Sequence, residues 1–476
     1  MEPSKFTFFF ILLFLINSYG EARELIFVYE HARHGARGPS SSYDSIFENG
    51  YDEYKINWGT DGELSPIGKK QHYYLGLRNK IKYNDFMNFS EYDPRKILIH
   101  ATDYNRTHQS ILSELYGMYE DLLEPELNEK EKDYAMVNDI YMKDSNYELY
   151  TKLKAVLETT GNRVNNKSFP VFNVRKFPDK RIFLVDDCLK LNNYRHEKVG
   201  KKVREFYDEF DQKFGDVMTR FTGKSLEFFH LYDKMKSVTD HFICDYDNKK
   251  DLTPIEREGL NLEEFYNYSK RFYGHFIFDY FVDEYTSGLE ETHLMQDMLG
   301  YMDRRIKFHP NITYKAPKMV MDCGHDTTVG PIARFMSTAF NIKYHKFCEF
   351  ACNVYFELYK ENDGSYTIDY YLDDELLIKG MNYNEFNSTM KKHFWNDTYI
   401  DEFCGKKEDA DVTPKNKLEE YSNALFFISI ISTILFLIFS TSTIVIFRRL
   451  KKLQKKFEAN PLLDKEMEGS ELPVLT

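Results

Sequence analysis

Basic residues are in deficit: 63 Lys and Arg face 76 Asp and Glu, for a formal net charge of −13. The lack of surplus cations to neutralise a phosphate backbone argues against sequence-independent binding to nucleic acid. A small anionic ligand is not, because a pocket can be locally basic inside an acidic protein. Internal repeats and long low-complexity tracts are also missing. With 42% apolar and 16% aromatic residues over 476 positions, the chain is no disordered polymer and can bury the core of one large or two ordinary domains.

Charge is absent from one long stretch, Ala424 to Phe447. At 1.5 Å per residue this run is long enough to cross a hydrocarbon core of roughly 30 Å, and it is expected to be a transmembrane helix. Arg448, Arg449, Lys451, Lys452, Lys455 and Lys456 follow at once, so the positive-inside rule puts the tail in the cytosol and the rest of the chain in the lumen or outside. A lipid-anchor signal would end in its apolar tail, whereas this chain continues with polar residues. At the other end, Lys5 precedes an apolar run from Phe6 to Ile16 and the small-residue pattern Ser18-Tyr19-Gly20, the form of a secretory signal peptide over 1–20.

Cysteine is scarce, and all six residues precede Ala424, which agrees with an oxidising lumen. Seven Asn-X-Ser/Thr sequons, at Asn88, Asn105, Asn166, Asn267, Asn311, Asn387 and Asn396, lie on the same side. Asn105 falls inside a motif described next and is expected to be unmodified.

Glu24 to Tyr29 reads as a strand buried on both faces. It runs into His31-Ala32-Arg33-His34-Gly35-Ala36-Arg37-Gly38-Pro39, where two glycines and a proline force a loop. Ser65-Pro66 gives a helix start, and Ile67, Tyr74, Leu77 and Ile81 recur at helical spacing as far as about Lys82. A second strand, Lys96 to His100, leads to Thr102-Asp103-Tyr104-Asn105-Arg106-Thr107. A third, Lys318 to Cys323, leads to Gly324-His325-Asp326-Thr327-Thr328, and strand patterns return in Val354 to Tyr359 and Tyr366 to Tyr371. Residues 126–290 are rich in Lys, Glu, Tyr and Phe with helical periodicity.

The simplest architecture is α/β: a catalytic core in two parts, 21–125 and 291–404, with its sheet interrupted by a mostly helical cap over 126–290. A stalk over 405–423, the membrane span 424–447 and a cytosolic tail 448–476 follow.

Loops at the carboxyl ends of three strands can converge on one ligand. Here they carry Arg33, His34 and Arg37, then Arg106, then His325 and Asp326. Planar bidentate guanidinium groups suit a phosphoryl group. A neutral imidazole can attack phosphorus to give a phosphohistidine, and a carboxylic acid can protonate the leaving alkoxide and then activate water. No metal or other cofactor is required. His31 and His34 alone are too few ligands for zinc, and the neighbouring arginines would repel a cation.

The first loop resembles the Arg-His-Gly-X-Arg-X-Pro signature of the histidine acid phosphatases, matched at Arg33, His34, Gly35, Arg37 and Pro39. Thr102, Asp103, Arg106 and Thr107 match a second feature of that family, and His325 to Thr328 match its distal His-Asp-Thr-Thr. Gly62 to Gly68 resembles the segment before its first long helix. The resemblance covers roughly residues 24 to 404, densely at the motifs and thinly in the insertion, and is nearest to the membrane-anchored lysosomal and prostatic type. It implies a phosphoglycerate-mutase-like sheet flanked by helices, a small phosphate-monoester substrate, His34 as phosphorylated nucleophile and Asp326 as proton donor. Arg33, Arg37, Arg106 and His325 would bind the phosphoryl group. A homodimer is an expectation from the resemblance alone.

Two departures stand out. His100-Ala101 replaces the Arg-Ser of many relatives, and the family's late, closely spaced cysteine pair has no match near Lys379. The pairing expected is Cys188 with Cys404 and Cys244 with Cys348 or Cys352, leaving Cys323 a buried free thiol. In the tail, Glu458, Leu462 and Leu463 resemble an acidic dileucine signal for a sorting adaptor, which makes lysosome or endosome the expected destination beside the cell surface. The competing functions are a phytase or inositol-polyphosphate phosphatase on the same core, and an inactive membrane ectodomain used for binding.

Overall fold

The computed structural model describes residues 23–48, 62–120, 169–174, 203–275, 284–343 and 348–404, with isolated positions elsewhere. The chain divides into two compact units, Met1–Gly405 and Lys406–Thr476. Among the described residues no helix is long and apolar enough to cross a membrane. The expected signal peptide lies outside them, and so does the expected span apart from Ile446.

Strand β1 covers Glu24–Arg33, four residues beyond the predicted end, because its polar residues Glu30, His31 and Arg33 are as buried as Ile26 to Tyr29. Helix α1, Pro66–Met87, starts as predicted, with Ser65 Oγ accepting a hydrogen bond from the Gly68 amide at 3.1 Å. Its buried face is not the apolar stripe. Gly68, His72, Leu75, Gly76, Asn79, Tyr83 and Met87 face inward, whereas Ile67 and Tyr74 are exposed and Ile81 is 85% exposed. Hydrophobic periodicity picked the wrong side because the inward face works by close approach and hydrogen bonding.

Strand β2 is Ile97–Thr102 and helix α2 is Asn105–Met118. A Cβ on Gly76 would lie 1.9 Å from Glu114 O, and one on Gly117 would lie 2.2 Å from Tyr73 O, so α1 and α2 cross backbone to backbone. Strand β3, Phe172–Val174, pairs parallel with β2, so the insertion read as helical also supplies an edge strand.

Helices α3 (Tyr232–Asp247), α4 (Leu262–His275) and α5 (Glu284–Phe308) follow, then β4 (Met319–Gly324), α6 (Asp326–Phe340), β5 (Asn353–Lys360), β6 (Tyr366–Leu372) and β7 (Glu375–Asn382). Strand β7 had no sequence reading, since only Ile378 in it is buried. Among the described residues the sheet has the order β3-β2-β4-β1-β5-β6-β7. The first four strands are parallel, and β5 to β7 continue the sheet antiparallel.

The pleat sends alternate residues to opposite faces. Phe27, Tyr29 and Val320 pack with Leu294, Met298 and Ile332 of α5 and α6. Val28, Met319 and Met321 pack with Tyr83, Ile111 and Leu115 of α1 and α2. A third cluster joins Phe242 and Phe265 of α3 and α4 to Ala36, Phe47 and Phe350, which docks the inserted helices on the loop after β1.

Cys188 pairs with Cys404 as expected, and Cys323 is a buried free thiol. The second expected pairing is corrected: Cys348 bonds to Cys352, and Cys244 is free. A left-handed turn at Ala351 (φ +62°) folds the 348–352 loop back on itself, while Cys244 on α3 faces the Arg37 guanidinium at 3.4 Å.

Candidate active site

The central strand β4 pairs with β1 as far as Arg33 opposite Gly324 and with β2 as far as Ala101 opposite Cys323. Three parallel strands therefore stop at one edge, and the loops carrying Arg33 to Arg37, Thr102 to Arg106 and His325 to Asp326 meet there. The first loop fits only because of glycine: a Cβ on Gly35 would sit 2.3 Å from Gly68 O, well inside contact distance. All six sequence-predicted site residues come together, and Arg33, His34, Arg37, His325 and Asp326 are buried.

His34 Nδ1 lies 2.8 Å from the Gly35 carbonyl oxygen. A carbonyl only accepts, so Nδ1 carries the proton and Nε2 presents its lone pair. Burial, followed by the positive charges of Arg106, Arg37 and Arg33, pushes the His34 pKa well below its ordinary 6.5. The imidazole therefore stays neutral as pH falls through 6.5. The His325 ring stands edge-on to it, with centroids 5.5 Å apart, and Phe350 lies 6.0 Å away on another side.

Arg37 is gripped by Asp240 of α3, with Nη2 to Oδ1 at 2.8 Å and Nη1 to Oδ2 at 3.2 Å. Asp240 also accepts from the Ser40 amide at 3.0 Å and hydroxyl at 2.8 Å. Burial opposes its charge, but Arg37 and Ser40 hold its carboxyl below the usual carboxylate range. Sequence reading missed Asp240, which lies far along the chain in an insertion with no motif.

Arg106 stands in the first turn of α2, its guanidinium 4.3 Å over the Tyr104 ring and its Nη2 3.4 Å from His325 Nδ1. Its Nε has no hydrogen-bond partner among the described residues. Burial first, then Arg37, lowers its pKa to about 10, so it stays cationic. His325 Nε2 is 3.0 Å from Thr102 Oγ1, and burial with Arg106 and Arg37 pushes its pKa well below 6.5.

Asp326 opens α6. Its Oδ1 accepts from the Thr327 amide at 2.8 Å, and its Oδ2 pairs with Arg33 Nη2 at 2.7 Å. Arg33 also donates to the Cys348 carbonyl and lies 4.3 Å over the Phe350 ring. The 348–352 loop therefore orients the arginine beside His34, a second contribution with no sequence signal.

His100 is accounted for: its Nδ1 is 2.7 Å from Asp322 Oδ1, and Tyr29 donates to Asp322 Oδ2 at 2.5 Å. His31 lies beside the same carboxylate, 3.9 Å away, on the strand rather than in the loop. Lys236 of α3 was also missed; burial lowers its pKa, against the nearby charges of Asp240 and Asp326, which raise it.

Such a basic, buried cluster around a neutral imidazole and a carboxylate suits transfer of an anionic group. Aligned over 379 residues, the prostatic acid phosphatase of Rattus norvegicus is 24% identical, covering 77% of this chain and 83% of the relative. The lysosomal acid phosphatase of Xenopus laevis is 34% identical over 115 residues; that alignment spans 23% of this chain and about a quarter (24%) of the relative. The solved phytase of Citrobacter braakii shares the fold, with a TM-score of 0.51 at 11% identity over 78% of this chain and 98% of that one. The family model described as histidine phosphatase superfamily (branch 2) matches residues 24–373, and the chain belongs to that superfamily.

Proposed function

We propose that this chain is an acid phosphatase that hydrolyses phosphate monoesters through a phosphohistidine on His34, with Asp326 as general acid. The observation that carries the reading is the His34 Nδ1 contact to the Gly35 carbonyl, which leaves Nε2 as a neutral nucleophile among three arginines. Arg33, Arg37, Arg106 and His325 hold the phosphoryl oxygens. Nε2 attacks phosphorus, a P–N bond forms, the P–O ester bond breaks and the departing oxygen takes its proton from Asp326. The carboxylate then accepts a proton from water, the resulting hydroxide attacks phosphorus, and the P–N bond breaks to release inorganic phosphate. Phosphoryl oxygens entering the site compete with Asp326 for the Arg33 guanidinium.

Hydrolysis of a chromogenic phosphomonoester by the purified full-length chain, assayed from acid to neutral pH, tests this. Because the folded pKa of His34 lies well below 6.5, the nucleophile stays unprotonated as pH falls through 6.5. Activity is therefore expected to persist below that value, with an acid-labile, alkali-stable phosphoenzyme on rapid quenching. A rate that collapses as pH drops through 6.5 would count against a buried, cation-flanked nucleophile. A folded but inactive protein would favour the binding-ectodomain reading.

The proposed setting is a single-pass type I membrane protein of the secretory pathway, with the site luminal and Glu458, Leu462 and Leu463 offered to a sorting adaptor. In sealed microsomes, protease is expected to shorten the chain by only its tail. Digestion of the 24–404 region there would reverse the topology.

A further inference from the structure

Beneath the nucleophile loop lies a polar group of residues that the reaction does not touch. Glu30 of β1, His72 and Asn79 of α1, Glu114 of α2 and Tyr355 of β5 are all buried, and none is more than 1% exposed. His72 Nε2 is 2.9 Å from the Arg33 carbonyl oxygen, and His72 Nδ1 is 3.0 Å from Glu114 Oε2. Asn79 Nδ2 donates to Glu114 Oε1 at 2.9 Å and to Glu30 Oε2 at 3.0 Å. The Tyr355 hydroxyl is 2.6 Å from Glu30 Oε1 and 2.7 Å from Asn79 Oδ1.

Counting protons gives a direction to this chain. The Arg33 carbonyl only accepts, so His72 Nε2 bears the hydrogen, and a neutral His72 then needs a donor at Nδ1. Only a protonated Glu114 supplies one. At the other end, Tyr355 has one hydrogen for two acceptors. Among the described residues Asn79 Oδ1 has no other donor and takes it, so Glu30 Oε1 donates to the tyrosine oxygen. With both carboxyls protonated, every donor meets an acceptor: Glu30 to Tyr355, Tyr355 to Asn79, Asn79 to both carboxyls, Glu114 to His72 and His72 to Arg33.

We propose that Glu30 and Glu114 are both uncharged carboxylic acids in the folded protein, and that the neutral chain they close makes His72 a positioning residue for the Arg33–His34 loop. The buried setting favours this state over an ionised pair, because an uncompensated charge there is costly. Burial raises the Glu114 pKa from 4.5 to about 8, raises that of Glu30 well above 4.5, and lowers that of His72 to about 4. The two carboxyls face each other, Glu114 raising the pKa of Glu30 and Glu30 lowering that of Glu114, and the other groups facing them from the packed elements are His72, Arg78 and Tyr83 of α1, Cys323 of β4 and Tyr355 of β5. Arg78 is the one fixed charge in that set. It donates to the Tyr355 hydroxyl at 3.4 Å and draws both carboxyl pKa values down, against the larger effect of burial.

The sign follows from linkage. A carboxyl whose folded pKa is raised contributes fully below its unfolded value of 4.5, and that contribution is lost as pH rises through about 8. The network is therefore intact at acid pH and opens toward alkaline pH.

The positioning role rests on the proposed phosphatase reaction, but the protonation state is read without it. Infrared difference spectra of the full-length protein between about pH 5 and about pH 9 are expected to show a protonated-carboxyl band that weakens in Glu114→Gln and again in Glu30→Gln. Glu114→Gln also restores one donor and one acceptor, so at about pH 5 its kcat is expected to stay within about threefold of wild type. His72→Phe, with no ring hydrogen bonds, is expected to lose about 10²-fold, the scale of a misplaced catalytic group. The thermal midpoint of wild type is expected to fall more steeply toward alkaline pH than that of Glu114→Gln. A wild-type band unaffected by either Gln substitution, or a Glu114→Gln enzyme as damaged as His72→Phe, overturns the proposal in favour of a charged His72–Glu114 pair. If the protein proves inactive, or His72→Phe does not fold, the band and the pH dependence of the midpoint still decide.

Discussion

Replacing His34 by alanine is expected to lower kcat for any phosphate monoester by at least about 10⁴-fold, the scale on which loss of a covalent nucleophile is felt, while leaving the protein folded. The side chain is buried, but its hydrogen bond among the described residues is the local one to the Gly35 carbonyl, so its loss costs the fold little. Its loss from the reaction is total, because no other described nucleophile has the same setting. Cys244 also lies among the site arginines, yet burial, then Asp240, keeps its thiol protonated. The measurement is steady-state hydrolysis together with rapid-quench detection of phosphoenzyme. Substantial turnover in the variant, or a phosphoenzyme that survives the substitution, would remove the phosphohistidine route.

Asp326→Asn is expected to separate kcat from KM. An amide cannot protonate a departing alkoxide, so kcat for alkyl phosphates should drop by about 10²- to 10⁴-fold, the contribution of a positioned general acid. Aryl phosphates with acidic leaving groups need little help and should lose far less. KM should fall, because the carboxylate that pairs with Arg33 at 2.7 Å would no longer compete with the phosphoryl oxygens for that guanidinium. A loss that is equal across leaving groups would instead make Asp326 a binding or structural residue.

Much of the site was legible in the sequence for a local reason. Arg33, His34 and Arg37 lie within five consecutive residues after a buried strand, and His325 and Asp326 are adjacent after another. A loop motif keeps its spacing wherever the rest of the chain goes. The residues that hold these groups carried no such signal. Asp240 on α3 and the Cys348 carbonyl reach Arg37 and Arg33 only after the insertion and the last part of the sheet have packed against the first loop. The second disulfide expectation, Cys244 with Cys348 or Cys352, failed for the same reason: counting cysteines cannot show that Cys244 points at Arg37 while Cys348 and Cys352 are brought together by their own turn.

Three strands of the parallel half, β1, β2 and β4, were found because burial on both faces leaves near-continuous apolar runs. Strand β7, buried mainly at Ile378, and β3, three residues long with Phe172 and Asn173 exposed, left no such trace. On α1 the apolar periodicity pointed to solvent, because the helix packs through Gly68 and Gly76 and through the hydrogen bonds of His72 and Asn79.

By itself the sequence determined which side chains could do the chemistry and in which loops they lie, because both are matters of covalent order and short-range backbone preference. Only the tertiary structure decided which ring nitrogen of His34 is free, which carboxylate holds which arginine and which buried acids keep their protons. Those properties depend on distance and desolvation between groups that the sequence keeps far apart.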